Sequence, residues 1–179
     1  MEELSPGIFV VPTIALTLVI LGYLHFAKRV ADRRNYRRFI VVVAVTAFAL
    51  NFVWELVQGP LYEGFEYDLK HISFCALASV ADMLMVFILF FVFGLIHKNV
   101  FWIKNTDVNV VLLLAFVGFS GSILAEVLHT MRGDWSYTET MPMLPVVDVG
   151  ISPVLQFTIL PWLIFLISIK LFEKRMKVE

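Results

Sequence analysis

Five stretches of almost continuous apolar residues, separated by short polar connections, dominate the pattern of this chain. They cover residues 8–26, 39–57, 72–95, 108–128 and 151–172. A helix needs about 18 or more such residues to cross a bilayer, and each stretch meets that length. The connections are too short for a separate soluble domain. The sequence therefore predicts an all-α membrane protein in which residues 1–179 form a single five-transmembrane-helix bundle.

Composition agrees with this fold class, because 60% of the 179 residues are hydrophobic and only 16% are charged. The single cysteine, Cys75, excludes an internal disulfide and any multi-cysteine metal site. The chain contains no glycine-rich phosphate loop and no nucleic-acid-binding signature, so no nucleic-acid partner is predicted.

The basic residues are distributed unevenly along the chain. Twelve of them fall in alternate connections or at the C-terminal end: Lys28, Arg29, Arg33, Arg34, Arg37, Arg38, Lys98, Lys104, Lys170, Lys174, Arg175 and Lys177. Only Lys70 and Arg132 fall in the other connections. The positive-inside rule then predicts that the N-terminus lies outside and the C-terminus is cytoplasmic. The acidic residues Glu2 and Glu3 agree, and the predicted location is the cell membrane, with multiple passes.

Three acidic residues interrupt the apolar stretches: Glu55, Asp82 and Glu126. A carboxylate in hydrocarbon costs from a few to more than about 10 kcal/mol, so such residues usually face the interior of a bundle and have a function. They are the strongest functional indication in the sequence.

Each acid belongs to a polar stripe, because positions i, i+4 and i+7 lie on one face of a helix. The stripes are Asn51, Glu55 and Gln58 with Trp54 beside them; Cys75, Ser79 and Asp82; Ser122, Glu126 and His129; and Ser152 with Gln156. Glu55 lies about 25 Å above the basic residue Arg38, and Asp82 lies about 16 Å from the start of its span. The pattern predicts a shared pocket that opens toward the outer leaflet, with Asp82 at its floor.

This pocket suits acid–base chemistry on a hydrophobic alkene. A protonated carboxyl group in an apolar site is a good general acid, and a second carboxylate can act as the base. We predict Glu55 or Asp82 as the proton donor and Glu126 with His129 as the acceptor. Trp54, Trp135 and Tyr137 could stabilise a carbocation through their ring faces. The predicted substrate-binding residues are Asn51, Trp54, Gln58, Ser79, Ser122, Trp135, Tyr137 and Gln156, and no cofactor is required.

Several alternatives remain open at this point. The polar residues could simply hydrogen-bond between helices. The same acids could couple protons in a small transporter, recognise a cationic ligand, or face a partner helix in a non-catalytic subunit. Glu126 and His129 have the Glu-x-x-His spacing that di-iron bundles use twice, and Glu55 and His71 are conceivable further ligands. This chain has the Glu-x-x-His motif only once, so no metal is predicted. A homo-oligomer is also left open. The expected partner is a membrane lipid or another hydrophobic small molecule.

Three segments resemble known families. Residues 133–137 (GDWSY) and 150–157 (GISPVLQF) resemble a loop and helix start in the heterodimer-type lycopene cyclases and the carotenoid hydratases. Residues 51–55 (NFVWE) resemble an Asn-x-x-Trp-Glu motif of the fungal membrane-bound meroterpenoid cyclases, which implies that Glu55 is the acid. Where lycopene cyclases have paired glutamates, this chain has Val154, Leu155 and Gln156. The resemblance thus implies isoprenoid-type chemistry as a class, with Glu55 and Glu126 in place of the missing acids.

Overall fold

The computed structural model describes residues 10–176, apart from the side chain of Asn105. Within these residues the chain forms five α-helices: α1 (Val10–Ala27), α2 (Arg33–Gln58), α3 (Leu69–Ile96), α4 (Val108–Arg132) and α5 (Ile151–Met176). Each helix is long and apolar enough to cross a membrane, so the all-α, five-span prediction is confirmed at that level. The first two residues of the first predicted span, together with Glu2, Glu3 and Lys177, lie outside the described residues.

The helices extend beyond the predicted spans because their ends are polar. An aspartate precedes each of α2, α3 and α4 and accepts a hydrogen bond from the backbone N–H three residues later: Asp32 from Asn35, Asp68 from His71, and Asp107 from Val110. Such N-caps satisfy one of the free N–H groups of the first turn. The His71 backbone N–H and then its ring keep the pKa of Asp68 below its usual value. Hydropathy alone misses the first turns of α2 and α3, so the spans predicted from residues 39 and 72 begin too late, whereas α4 begins at Val108 as predicted.

The five helices are not neighbours in sequence order. The extensive contacts are between α1 and α3, α3 and α2, α2 and α5, and α5 and α4. The order in space is therefore α1–α3–α2–α5–α4. Helices α3 and α4 make no extensive contact with each other.

Contacts between the connections define two ends of the bundle. At the polar end, residues 59–68 meet residues 133–150: Glu63 N–H donates to Ser136 O at 3.0 Å, and Thr138 N–H donates to Leu61 O at 3.0 Å. There a short hairpin, β1 (Met143–Leu144) and β2 (Val149–Gly150), leads into α5. At the basic end, residues 28–32 and 97–107 meet the last turns of α5, and the Lys104 ammonium lies 3.7 Å from the Glu173 carboxylate.

Aromatic side chains fill the basic half of the bundle. Phe39, Phe90 and Phe165 are completely buried, and the Phe90 ring lies 5.9 Å from Phe39 and 5.8 Å from Phe165. Trp102 packs on Phe165 and donates its indole N–H to Phe90 O at 3.1 Å. This packed apolar core leaves the polar stripes confined to the other half.

Helices α4 and α5 approach each other closely at Gly118. Pro161 has no N–H, so the Phe157 carbonyl four residues earlier lacks its usual helical donor. The Gly118 backbone lies against that carbonyl, and a Cβ atom at Gly118 would overlap with its oxygen. Glycine is therefore required here, and the contact packs the helix that carries Glu126 against the helix that carries Gln156.

Candidate functional site

The structure brings the polar stripes of α2, α3 and α5 into one hydrogen-bonded network. α2 contributes Asn51, Trp54, Glu55 and Gln58, α3 contributes Asp82, and α5 contributes Ser152 and Gln156. The helical spacing puts each set on one face, and packing of α2 against both α3 and α5 brings these faces together. The predicted convergence of these seven residues is what the structure shows.

Gln156 lies at the centre of this network and is only 1% exposed. Its amide nitrogen lies 3.0 Å from Oδ1 of Asn51, 3.0 Å from Oε1 of Glu55 and 3.0 Å from Oδ2 of Asp82. Asn51 in turn donates to Ala47 O at 2.9 Å. One side chain of α5 therefore joins both acids and fixes the distance between α2 and α3.

Gln58 forms the second junction and is 3% exposed. Its amide nitrogen donates to Oε1 of Glu55 at 2.9 Å and to Oε1 of Gln156 at 3.0 Å. Its carbonyl oxygen accepts from the Trp54 indole at 3.1 Å and from the Ser152 hydroxyl at 2.9 Å. The Gln58 amide therefore donates two hydrogen bonds and accepts two, which fixes the orientation of this side chain.

Glu55 and Asp82 form a carboxyl pair, because Oε1 of Glu55 and Oδ2 of Asp82 each lie 3.0 Å from the same amide nitrogen of Gln156. Two carboxyl groups in one buried site do not ionise together readily, because their like charges repel and burial disfavours the charged form. The ion pairs found within residues 10–176 are formed by Asp68, Glu173 and Asp134, so neither acid has a cationic partner there. The described partners of the pair are amide groups rather than cations.

Glu126 forms a second subsite, and the α4–α5 connection supplies its partners. Its Oε2 atom accepts a hydrogen bond from the Trp135 indole at 3.2 Å and a short one from the Tyr137 hydroxyl. Glu126 is 8% exposed. Burial and this hydrogen bond raise the pKa of Tyr137 to about 12, so the phenol remains a donor throughout the physiological range.

Tyr62 packs against the aromatic residues of the Glu126 subsite and was missed by the sequence analysis. Its ring centroid is 5.5 Å from that of Tyr137 and 6.3 Å from that of Trp135. Burial raises its pKa, and the neighbouring charges of Glu126 and Glu55 raise it further. Tyr62 follows Gln58 by four residues and so continues the α2 stripe. The helical spacing does not reveal Tyr62 in the sequence, because Gly59 and Pro60 end the α-helix and start a short 3₁₀ turn.

Three of the predicted site residues bond elsewhere, and neither to this network nor to the Glu126 subsite. The Ser79 hydroxyl donates to Cys75 O at 2.7 Å, and the Ser122 hydroxyl donates to Phe119 O at 3.0 Å, each within its own helix. The His129 ring lies 2.6 Å from Oδ2 of Asp134 and stacks on Trp135 at 4.3 Å. His129 therefore supports Trp135, and its Nδ1 atom points to Asp134 rather than to Glu126.

The conceivable metal ligands are likewise separated. His71 contacts Asp68, with its Nδ1 atom 2.8 Å from Oδ1. Within residues 10–176, no group of three or more His, Cys, Asp and Glu side chains is arranged to hold a metal ion. The Glu-x-x-His spacing in α4 thus corresponds to two side chains with different partners.

Comparisons of the chain with protein-family models, with curated proteins and with solved structures found no match. The resemblance to carotenoid enzymes and meroterpenoid cyclases stays a prediction, and the function has to be inferred from the site itself.

Proposed function

We propose that this chain is a membrane enzyme that performs proton-initiated cyclisation, isomerisation or hydration of a hydrophobic, isoprenoid-like alkene. The observation that carries the proposal is the Glu55–Asp82 carboxyl pair, hydrogen-bonded to Gln156 and without a cationic partner within residues 10–176. A carboxyl group that keeps its proton in an apolar bundle is the group that protonation of an unactivated double bond requires.

The proposed reaction begins when the pair transfers its proton to one carbon of the double bond. The π electrons form the new C–H bond and leave a carbocation on the neighbouring carbon. In isomerisation, a carboxylate removes a proton from the next carbon. In cyclisation, a second double bond attacks the cation before that proton is lost. In hydration, water adds and gives up its proton to a carboxylate.

Glu126 and the aromatic residues fit the later steps. Glu126 accepts two hydrogen bonds, which suits a proton acceptor that must be held in place. The ring faces of Tyr62, Trp135 and Tyr137 could stabilise the cation. His129 takes part through its stacking on Trp135, as a positioning residue.

We propose that the substrate enters from the lipid between α3 and α4. Asp82 and Glu126 are on α3 and α4, and these two helices do not pack extensively against each other. A hydrophobic substrate would reach the carboxyl groups laterally between them, without crossing water.

The orientation and location follow from the charge asymmetry. We place the polar end outside and the basic end in the cytoplasm of a cell membrane, because the described cations except Lys70 and Arg132 belong to the basic half. A transporter that uses the same acids would need a polar path to the basic end, but Phe39, Phe90 and Phe165 fill that half. The enzyme proposal is therefore favoured over the transporter.

The test uses full-length protein in liposomes with polyprenoid substrates in deuterated water. The native chain should incorporate solvent deuterium into the product. Glu55→Gln and Asp82→Asn should each lower turnover by about 100-fold or more, the usual contribution of a general acid. Glu66→Gln, an exposed acid at the polar end, is the control and should leave turnover unchanged. Product formation at the native rate in folded Glu55→Gln and Asp82→Asn proteins would refute the proposal.

A further inference from the structure

A groove between α2 and α5 at the basic end combines an apolar wall with positive charge. We refer to it as the α2–α5 groove, and its volume is about 870 Å³. The apolar wall is formed by Val41, Val42, Val45, Leu171, Phe172 and Met176. Arg38, Lys174 and Arg175 lie at its end.

The charges of this groove are all of one sign. Lys174 and Arg175 line it, and no Asp or Glu is among the described residues that do. A second groove at the same end, of about 800 Å³, has three cations, Arg29, Lys98 and Lys104, but Asp32 and Glu173 line it too and reduce the charge to +1. Glu173 lies 3.7 Å from Lys104, so part of that charge is already paired. The α2–α5 groove is the stronger site for an anion.

The depth of the groove matches a ligand that is anionic at one end and apolar at the other. Arg38 and Thr46 are eight residues apart on α2, which is about 12 Å along the helix. The wall between them faces outward, since Val41 is 60% exposed and Val45 is 63% exposed. A free phosphate would use only the cations, whereas a phospholipid would cover the valines as well.

We propose that the α2–α5 groove binds one anionic phospholipid, with its phosphate at Lys174 and Arg175 and an acyl chain along the valines of α2. Basic pockets between membrane helices bind anionic headgroups in this way. The site is separate from the Glu55–Asp82 pair, because none of the described residues that line the groove belongs to the hydrogen-bonded network.

The headgroup is tested by titrating the full chain in detergent micelles with phosphatidylglycerol or phosphatidylcholine of identical acyl chains, with binding measured by native mass spectrometry. The native chain should retain phosphatidylglycerol preferentially. The double variant Lys174→Gln/Arg175→Gln should bind it at least about tenfold more weakly, since each cation contributes about fivefold. Arg29→Gln/Lys98→Gln removes the same charge at the other groove and should change the affinity by less than about threefold. Equal retention of the two lipids, or an equal loss in both double variants, would overturn the proposal.

The apolar wall is tested separately. Val45→Trp fills the groove and should displace phosphatidylglycerol, whereas Val53→Trp, on the same helix, similarly exposed and outside the groove, should not. Glycerol phosphate, which has the headgroup without the chains, should compete only at concentrations far above those of the lipid. Full competition by glycerol phosphate, or unchanged lipid binding in Val45→Trp, would show that the groove does not hold a lipid.

Discussion

The amide nitrogen of Gln156 lies within hydrogen-bonding distance of three oxygens but has only two hydrogens. One of the three acceptors must therefore share a hydrogen or be left without one at any time. In the proposed reaction one carboxyl group of the Glu55–Asp82 pair is protonated, and a protonated carboxyl group can donate as well as accept. Loss of that proton in the proposed reaction would remove one donor from the network.

Tyr137 gives a prediction at the scale of one residue. The pKa of a tyrosine in an unfolded chain is about 10, and burial and the Glu126 hydrogen bond raise it to about 12 in the folded protein. A raised pKa favours the protonated form on folding. Its contribution to stability is fully present below about pH 10 and disappears as the pH rises toward 12.

The measurement is phenolate absorbance of the folded protein, as the difference between the native chain and Tyr137→Phe. We expect the difference to titrate near pH 12. In Glu126→Gln, the midpoint should move toward 10, although not fully, because burial remains the larger cause. A difference that already titrates near pH 10 in the native chain would contradict the Tyr137–Glu126 contact.

At the scale of the helices, spacing along the sequence predicted the faces but not every contact. Asn51, Glu55 and Gln58 converge with Asp82 and Gln156 because a helix repeats its face regularly and a buried amide or carboxyl group seeks a partner. Ser79 and Ser122 have the same spacing but bond to carbonyl groups of their own helices, an option that hydroxyls have and that spacing does not reveal.

The partners of Glu126 could not be derived from helical periodicity. Trp135 and Tyr137 were predicted as site residues, but their contact with Glu126 depends on how residues 133–150 fold back over the polar end. Tyr62 forms an isolated β-bridge with Tyr137, and such a pairing between two distant connections leaves no periodic trace in the sequence. The first turns of α2 and α3 could not be predicted either, because hydropathy does not register their aspartate N-caps.

The contact between α4 and α5 gives a prediction at the scale of the helices. Gly118→Ala would place a methyl group against the Phe157 carbonyl, which is backbone and cannot move aside easily. We expect the free energy of unfolding to fall by about 1–3 kcal/mol, the usual cost of overpacking. Unfolding can be followed by circular dichroism during titration with sodium dodecyl sulfate in mixed micelles.

Gly121→Ala is the matched control for this experiment. It lies one turn further along α4, and a Cβ atom there would meet open space. Its effect should stay within about 1 kcal/mol, the difference in helix propensity between glycine and alanine. Equal effects of the two substitutions would show that α4 does not approach α5 at Gly118.

For the whole molecule, the sequence predicted the number of helices and the segregation of charge but not the order of the helices in space. Hydrophobic length determines whether a segment crosses a membrane, and the structure agrees on five such helices within residues 10–176. The order α1–α3–α2–α5–α4 depends on which faces fit together. Helix α1 is apolar on all sides, and only Ala15 and Phe26 of it are buried. Its sequence therefore does not indicate which helix it packs against.

The proposed orientation is tested by cysteine labelling in intact cells. The native Cys75 is 4% exposed and should react slowly. Glu66→Cys at the polar end should react with a membrane-impermeant maleimide added outside, whereas Lys98→Cys at the basic end should react only after the cells are opened. The reverse pattern would invert the proposed topology.

The position of Gln156 on the last helix has a consequence for how the chain is made. During synthesis, Asn51 and Glu55 are inserted about a hundred residues before the side chain that joins them to Asp82. Helix α2 can find α3 as soon as α3 emerges, but the network remains incomplete until α5 has entered the bilayer. A chain that stops before α5 therefore leaves Asp82 without the Gln156 amide, whereas Glu55 keeps its hydrogen bond from Gln58 on its own helix.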